Sequence, residues 1–133
     1  DPTTGDINTF NSLYPLGHAH WGQIDNFSGQ NLLDYGVQAS IKPHEKLSIV
    51  SQWHYFDLAH ATDRIYNIAG AGLAGSGDKN VGNELDFVGT YTHSKSFNVQ
   101  LGYLMFFYGD AVNNGGLARS DAEQFYLQGT YMF

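Results

Sequence analysis

Three groupings of side chains in this 133-residue chain are of types that do chemistry. His18-x-His20 with Asp25 combines two imidazoles and a carboxylate, donors that suit zinc or copper. Its surroundings are Gly-rich and no two of these ligands stand at helical spacing. A loop folded over or into a pore mouth, its aromatics packed on the inner wall, is therefore the expectation, with no metal. His54 and Ser48 offer an imidazole and a hydroxyl, the beginning of a nucleophile–base pair. Six residues along an extended strand span about 20 Å, which keeps the two apart. Asp34, Glu84 and Asp86 could pair as acids, but a charged wall is the plainer reading. The glycines of AGAGLAGSG precede no helix and lack the lysine of a phosphate loop. No catalytic residue and no cofactor is expected, and the chain does not read as an enzyme.

The segments that carry these residues alternate with a period of two, the signature of strands with two unlike faces. In DAEQFYLQGTYMF the odd positions from Phe125 are Phe125, Leu127, Gly129, Tyr131 and Phe133, against Gln124, Tyr126, Gln128, Thr130 and Met132. Four earlier segments repeat the pattern, and strands are expected at about 32–42, 47–58, 83–93, 97–108 and 122–133. Their odd faces hold Leu33, Val37, Ile49, Trp53, Phe87, Leu101 and the like, without a single charge from Leu33 to Ile41, Leu47 to Tyr55, Leu85 to Tyr91, Phe97 to Phe107 and Phe125 to Phe133. Their even faces hold Asp34, Gln38, Gln52, His54, Glu84, Asp86, Asn98, Gln100 and Gln128, the candidate pore-lining set.

Strands of this length match the roughly 9–11 residues of a tilted membrane strand. Aromatics gather toward the strand ends: Tyr35, Trp53, Tyr55, Phe107 and Phe125 at one level, Tyr91, Phe97, Tyr131 and Phe133 at the other. That is the double girdle of two lipid–water interfaces. Connections alternate between short (43–46, 93–96) and long (61–82, 109–120), as periplasmic turns alternate with extracellular loops. The fold class expected is all-β, an antiparallel transmembrane β-barrel. A soluble β-sandwich, whose core would be the apolar set, is the alternative. Five strands cannot close a membrane barrel, so these are read as the five C-terminal strands of a larger up-and-down barrel. Residues 1–31 would be an extracellular or pore loop. The terminal Phe133 resembles the signal read by the bacterial outer-membrane assembly machinery. Expected partners are that machinery, outer-membrane lipid and lipopolysaccharide, and the remaining barrel strands or other chains.

Composition agrees. Charged residues are 14 % against roughly 25 % in soluble domains, with 16 Gly and 9 Tyr. No apolar run approaches the roughly 18 residues of a membrane helix. Cysteine is absent, which removes disulfides and thiolate metal sites. A net charge of −7 argues against nucleic acid as a partner. DPTTGDINTF has neither a basic region nor an apolar core, so no signal peptide is expected.

FNSLYPLGHAHWGQID resembles the motif of alginate-export-type outer-membrane barrels through Leu13, Tyr14, Pro15, His18, Gly22 and Asp25. HYFDL, GNELD and GYLMF are similar to later strands of that family, in order along the chain. The resemblance implies a many-stranded monomeric channel, located in the bacterial outer membrane, that passes a polysaccharide or another hydrophilic solute. A lumen passing a polyanion should be lined with Arg and Lys. This even face has no Arg and only Lys42 at its edge, so from this segment alone neutral or cationic solutes fit at least as well, unless the remaining strands carry the basic residues. A non-conducting barrel whose loops contact a partner is the second function class.

Overall fold

A computed structural model of the chain describes residues 9–10, 17–74, 76–117 and 120–133, with only the backbone at His18 and Ala19. Its elements in order are α1 (Gly17–His20), β1 (Leu32–His44), β2 (Leu47–Leu58), β3 (Ile65–Tyr66), β4 (Gly72–Leu73), β5 (Asn80–Ser94), β6 (Phe97–Tyr108), α2 (Asp110–Asn113) and β7 (Ala122–Tyr131). The five long strands form one antiparallel sheet in the order β1-β2-β5-β6-β7, an up-and-down meander. β3 and β4 make a small separate hairpin within the connection from β2 to β5. Among the described residues the sheet is open, with β1 and β7 at its edges.

The strand bounds differ from the sequence expectation in ways the ladders explain. β1 runs on through Pro43, which a strand tolerates at an edge, and its pairing with β2 shifts between Ile41 and His44. β5 starts at Asn80 because Gly82 and Asn80 still pair with Phe56 and Asp57. β7 stops at Tyr131 because its partner there is Phe97, the first residue of β6. One more bond, from the Met132 N–H to the Ser96 carbonyl, follows. Phe133 lies beyond the strand and is fully exposed.

Both tight turns lie at one end of the sheet, at 45–46 and 95–96; both long connections lie at the other. The core sits at the long-connection end. Phe27, Phe56, Leu58, Ile65, Val81, Phe106, Ala111 and Val112 are buried together there, with Ile24, Leu32, Leu73 and Leu117 against them. Phe56 stacks on Phe106 at 5.8 Å, and Phe27 meets Phe106 edge-on at 5.6 Å. Edge and offset contacts of this kind suit the aromatic quadrupole and add about 0.5–1.5 kcal/mol to burial.

The odd face is turned the other way. Tyr35, Val37, Ile41, Trp53, Leu101, Tyr103, Phe125, Leu127 and Tyr131 are between 40 % and 69 % exposed. Residues that a sandwich would bury form an open apolar surface, and the core is built on the even face instead. Exposed apolar surface of this extent marks contact with something apolar, such as lipid or another protein. The inversion removes the sandwich alternative.

Candidate functional site

Antiparallel register sets the even face out in rows. One row holds Gly36, His54, Glu84 and Phe106, and the next holds Gln38, Gln52, Asp86, Leu104 and Gln124. Beyond them lie Val88, Gly102 and Tyr126, then Ser48, Thr90, Gln100 and Gln128. Alternation alone therefore brings most of the predicted pore-lining set onto one surface. Asn98 continues the face between Thr92 and Thr130.

A segment from the chain's first third lies across these rows. Gly22 has φ +79°, a left-handed turn that a β-carbon would oppose. That turn brings the next two N–H groups, of Gln23 and Ile24, onto Glu84 Oε1, the latter at 2.8 Å. Phe27 then enters the aromatic core and makes a β-bridge to Asn67. Asn26 accepts a hydrogen bond from the Tyr108 hydroxyl at 3.3 Å. Asn31 anchors the far end: its side chain donates to the carbonyls of His60 and Arg64 and accepts from the His60 N–H. Glu84 and Asp86, expected as bare lining residues, are on the expected face but fully buried. The segment covers them.

Beside this cover runs a neutral hydrogen-bonded chain. The Gln52 amide donates to Gln38 at 2.8 Å, and the Gln23 amide donates to Gln52 at 2.9 Å. The Tyr126 hydroxyl lies 3.4 Å from Gln23 Oε1 and 3.0 Å from Gln100 Oε1, and the Gln100 amide donates to Thr90 at 3.2 Å. One chain thus links β1, β2, the covering segment, β7, β6 and β5. A cavity of about 580 Å³ opens against it, lined by Gln23, Gln100, Gln124, Tyr126, Leu127, Gln128 and Gly129. His54 Nδ1 pairs with Asp34 Oδ2 at 2.9 Å, and its ring stacks on Phe56. That fixes His54 as a wall residue. Ser48 stands three rows of this face away from His54, opposite Thr90, and does not meet it.

At the long-connection end a second cleft of about 810 Å³ lies between Trp21 and Gly29 on one side and His60, Thr62 and Asp63 on the other. Burial pulls the Asp63 carboxyl up, but the Arg64 N–H and the Thr9 and Tyr66 hydroxyls outweigh it and hold the group below its ordinary value. The exposed Asp78 is likewise lowered, by the Asn114 amide and the Ser76 hydroxyl.

Of the motif residues, Leu13, Tyr14 and Pro15 lie outside the described residues, as does the His18 side chain. Gly22 makes the turn onto Glu84, and Asp25, also left-handed at φ 58°, brings its carboxylate against Gly17. Among the described residues no three His, Asp or Glu side chains converge as a metal site would need. The girdle aromatics within the strands share the odd face, and Phe133 lies beyond it. Tyr35 is opposite Tyr55, and Phe97 is opposite Tyr131. In register Phe125 faces Tyr103, four residues short of Phe107.

The profile for alginate export matches residues 1–125. The chain belongs to the alginate export family. No curated protein and no solved structure gives a match. The alginate export family is one of transport rather than catalysis, and the all-β antiparallel sheet accords with it.

Gln23, Phe27, Asn31, Gln124 and Tyr126 were not singled out in the sequence, yet they build the site. Two signals were present. Tyr126 is an aromatic on the polar parity of its strand, and its cross-strand partner is a glycine, Gly102. A large ring opposite a bare backbone position is a cross-strand fit that register alone would reveal.

Proposed function

We propose that this chain forms part of the wall of a bacterial outer-membrane channel that passes a hydrophilic solute, polysaccharide export being the instance its family suggests. One observation carries the reading: the large apolar side chains face outward and exposed, while the opposite face is polar and internally hydrogen-bonded. A wall between hydrocarbon and water needs that arrangement, because lipid offers backbone and side-chain polar groups no partners. β1 and β7 would pair with further strands, of the same polypeptide or of other copies, to close the barrel. The odd face would meet lipid and lipopolysaccharide.

Reconstitution of the assembled protein in a planar bilayer tests this. Discrete conductance steps are expected, with spin labels at Leu101, Tyr103 and Leu127 reporting lipid and labels at Gln124 and Gln128 reporting water. An insulating barrel would overturn the channel and leave a binding or structural barrel. Labels with no alternation would overturn the membrane wall itself.

A further inference from the structure

We propose that the short-turn end of the sheet is a docking surface for the phosphate headgroups of anionic phospholipid. It rests on the membrane-wall reading, in which the odd face meets lipid. Both tight turns carry the same pattern, His44-Glu45-Lys46 and His93-Ser94-Lys95. Each sits at a shift of register, between Ile41 and His44 and between Thr92 and Ser94. The Lys46 carbonyl accepts the Thr92 N–H at 2.8 Å, so the two turns stand side by side. With Lys42 they set three lysines against one glutamate, a net positive end on a chain of net charge −7. At the other end Asp57, Asp63, Asp78, Asp110, Asp121 and Glu123 outnumber Arg64 and Lys79 among the described residues.

The aromatics at this end show where the lysines meet the membrane. Tyr91 and Phe97, both of the odd face, flank His93, whose ring lies 6.5 Å from the first and 6.2 Å from the second. Phe97 is in turn opposite Tyr131. Tyrosine collects at the headgroup level of a bilayer, its ring in apolar surroundings and its hydroxyl wet. Lys42, Lys46 and Lys95 are all exposed within a few residues of that level. A lysine stem can lie along apolar surface while its ammonium reaches a phosphate. His44 adds a donor. Its Nδ1 accepts the Lys46 N–H at 3.1 Å, which leaves Nε2 of this exposed residue to carry the hydrogen of the neutral ring. Ammonium and imidazole N–H groups beside an interfacial aromatic row match a phosphodiester by charge and by hydrogen bonding. Short turns mark the periplasmic end of such barrels, away from the lipopolysaccharide of the outer leaflet. A zwitterionic headgroup offers the same phosphate with its charge already offset, so the preference is for the anionic lipid.

A local probe tests this: a fluorophore at Ser94→Cys, exposed and opposite Phe97, on the assembled protein in phosphatidylcholine vesicles. The vesicles carry phosphatidylglycerol or phosphatidylcholine bearing a nitroxide quencher at the top of the acyl chain. Phosphatidylglycerol should reach half-quenching at a roughly fivefold lower mole fraction, the effect of one lysine at an anionic surface, and less so as salt rises. Lys42→Gln with Lys46→Gln and Lys95→Gln should bring the two lipids to parity, while the same three changes to arginine keep the preference. All three side chains are exposed, so the sheet is not at stake. Lys79→Gln, at the other end, should change nothing. No preference in the parent would leave the lysines to an acidic protein partner and overturn the proposal. A preference that survives the glutamine variant, or that Lys79→Gln removes as fully, would do the same. Bilayer recordings separate it from the channel reading. Conductance without lipid preference sinks the docking surface alone, and lipid preference without conductance sinks the channel alone.

Discussion

Replacing Gly22 with alanine should release the covering segment from the even face. The magnitude follows from two terms. At φ +79° an L-residue costs about 1–2 kcal/mol relative to glycine. A β-carbon there would also stand 2.4 Å from the Glu84 carboxyl carbon, so the carboxyl must move and the bonds from the Gln23 and Ile24 N–H groups are lost. At roughly 1 kcal/mol net for each hydrogen bond, the total is about 3–4 kcal/mol. That is a shift of about two to three decades in the opening equilibrium, since 1.4 kcal/mol is tenfold. Loops open locally at free energies well below global unfolding, so the strands should hold while the segment lifts. Amide hydrogen exchange at residues 23 and 24 reads it directly, at least a hundredfold faster in Gly22→Ala. Gly77→Ala is the control: Gly77 has φ +91° with nothing within 4 Å of a built β-carbon, so it carries the backbone cost alone. Exchange at residues 23 and 24 unchanged in Gly22→Ala would refute the latch on Glu84.

The same variant should raise cation selectivity by opening Glu84 and Asp86 to the lumen, with reversal potentials showing the change most at low salt and Glu84→Gln with Asp86→Asn abolishing it. Leu101→Arg should cost about 2–4 kcal/mol in denaturant titrations from lipid vesicles, as a charge at mid-membrane does, whereas Gln128→Arg should be mild; equal costs would argue against a lipid-facing odd surface. Phe27→Ala should cost about 3–5 kcal/mol of core packing, visible as faster exchange in residues 24–31 and 65–67, and no change there would mean the aromatic cluster is not the anchor. Asp63 has a lowered carboxyl value, so its bonds to Thr9, Arg64 and Tyr66 stabilise the segment above the ordinary carboxylate value, about 3.9, and that stability is lost as pH falls through the lower folded value. Exchange near residues 63–66 should therefore quicken on acidification below about pH 4 in the parent chain and show no such step in Asp63→Asn.

Much of the sheet was legible because its surroundings impose a period of two on each strand. Leu101 and Gln100, or Leu127 and Gln128, declare their sides without any tertiary knowledge, and the alternation of loop lengths orients the meander. Pro43 made the first turn seem to begin early because a proline reads as punctuation, yet an edge strand can carry it. The cover over Glu84 was not legible. Its hydrogen bonds join residues 60 and 61 positions apart, and their only local trace is one glycine among many. Nor was the core, since Phe27, Leu58, Ile65, Val81 and Val112 lie in or beside Gly-rich connections with no periodicity to gather them.

That difference has a physical cause. In a water-soluble domain the strands' apolar face drives collapse, so alternation and core coincide. Here the apolar face is open, and in lipid it would exchange one apolar neighbour for another, which contributes little drive for packing within the chain. The sheet is then held by its ladders, and the specific packing moves to the long-connection end, where Phe27, Phe56 and Phe106 meet. Two of those rings come from strands and one from the covering segment. The segment that hides the carboxyls is thus also part of the packed core, and the neutrality of the polar face and the stability of that end depend on the same residues. A loop that only decorated the pore mouth would leave the core intact on removal; this one takes an aromatic out of it.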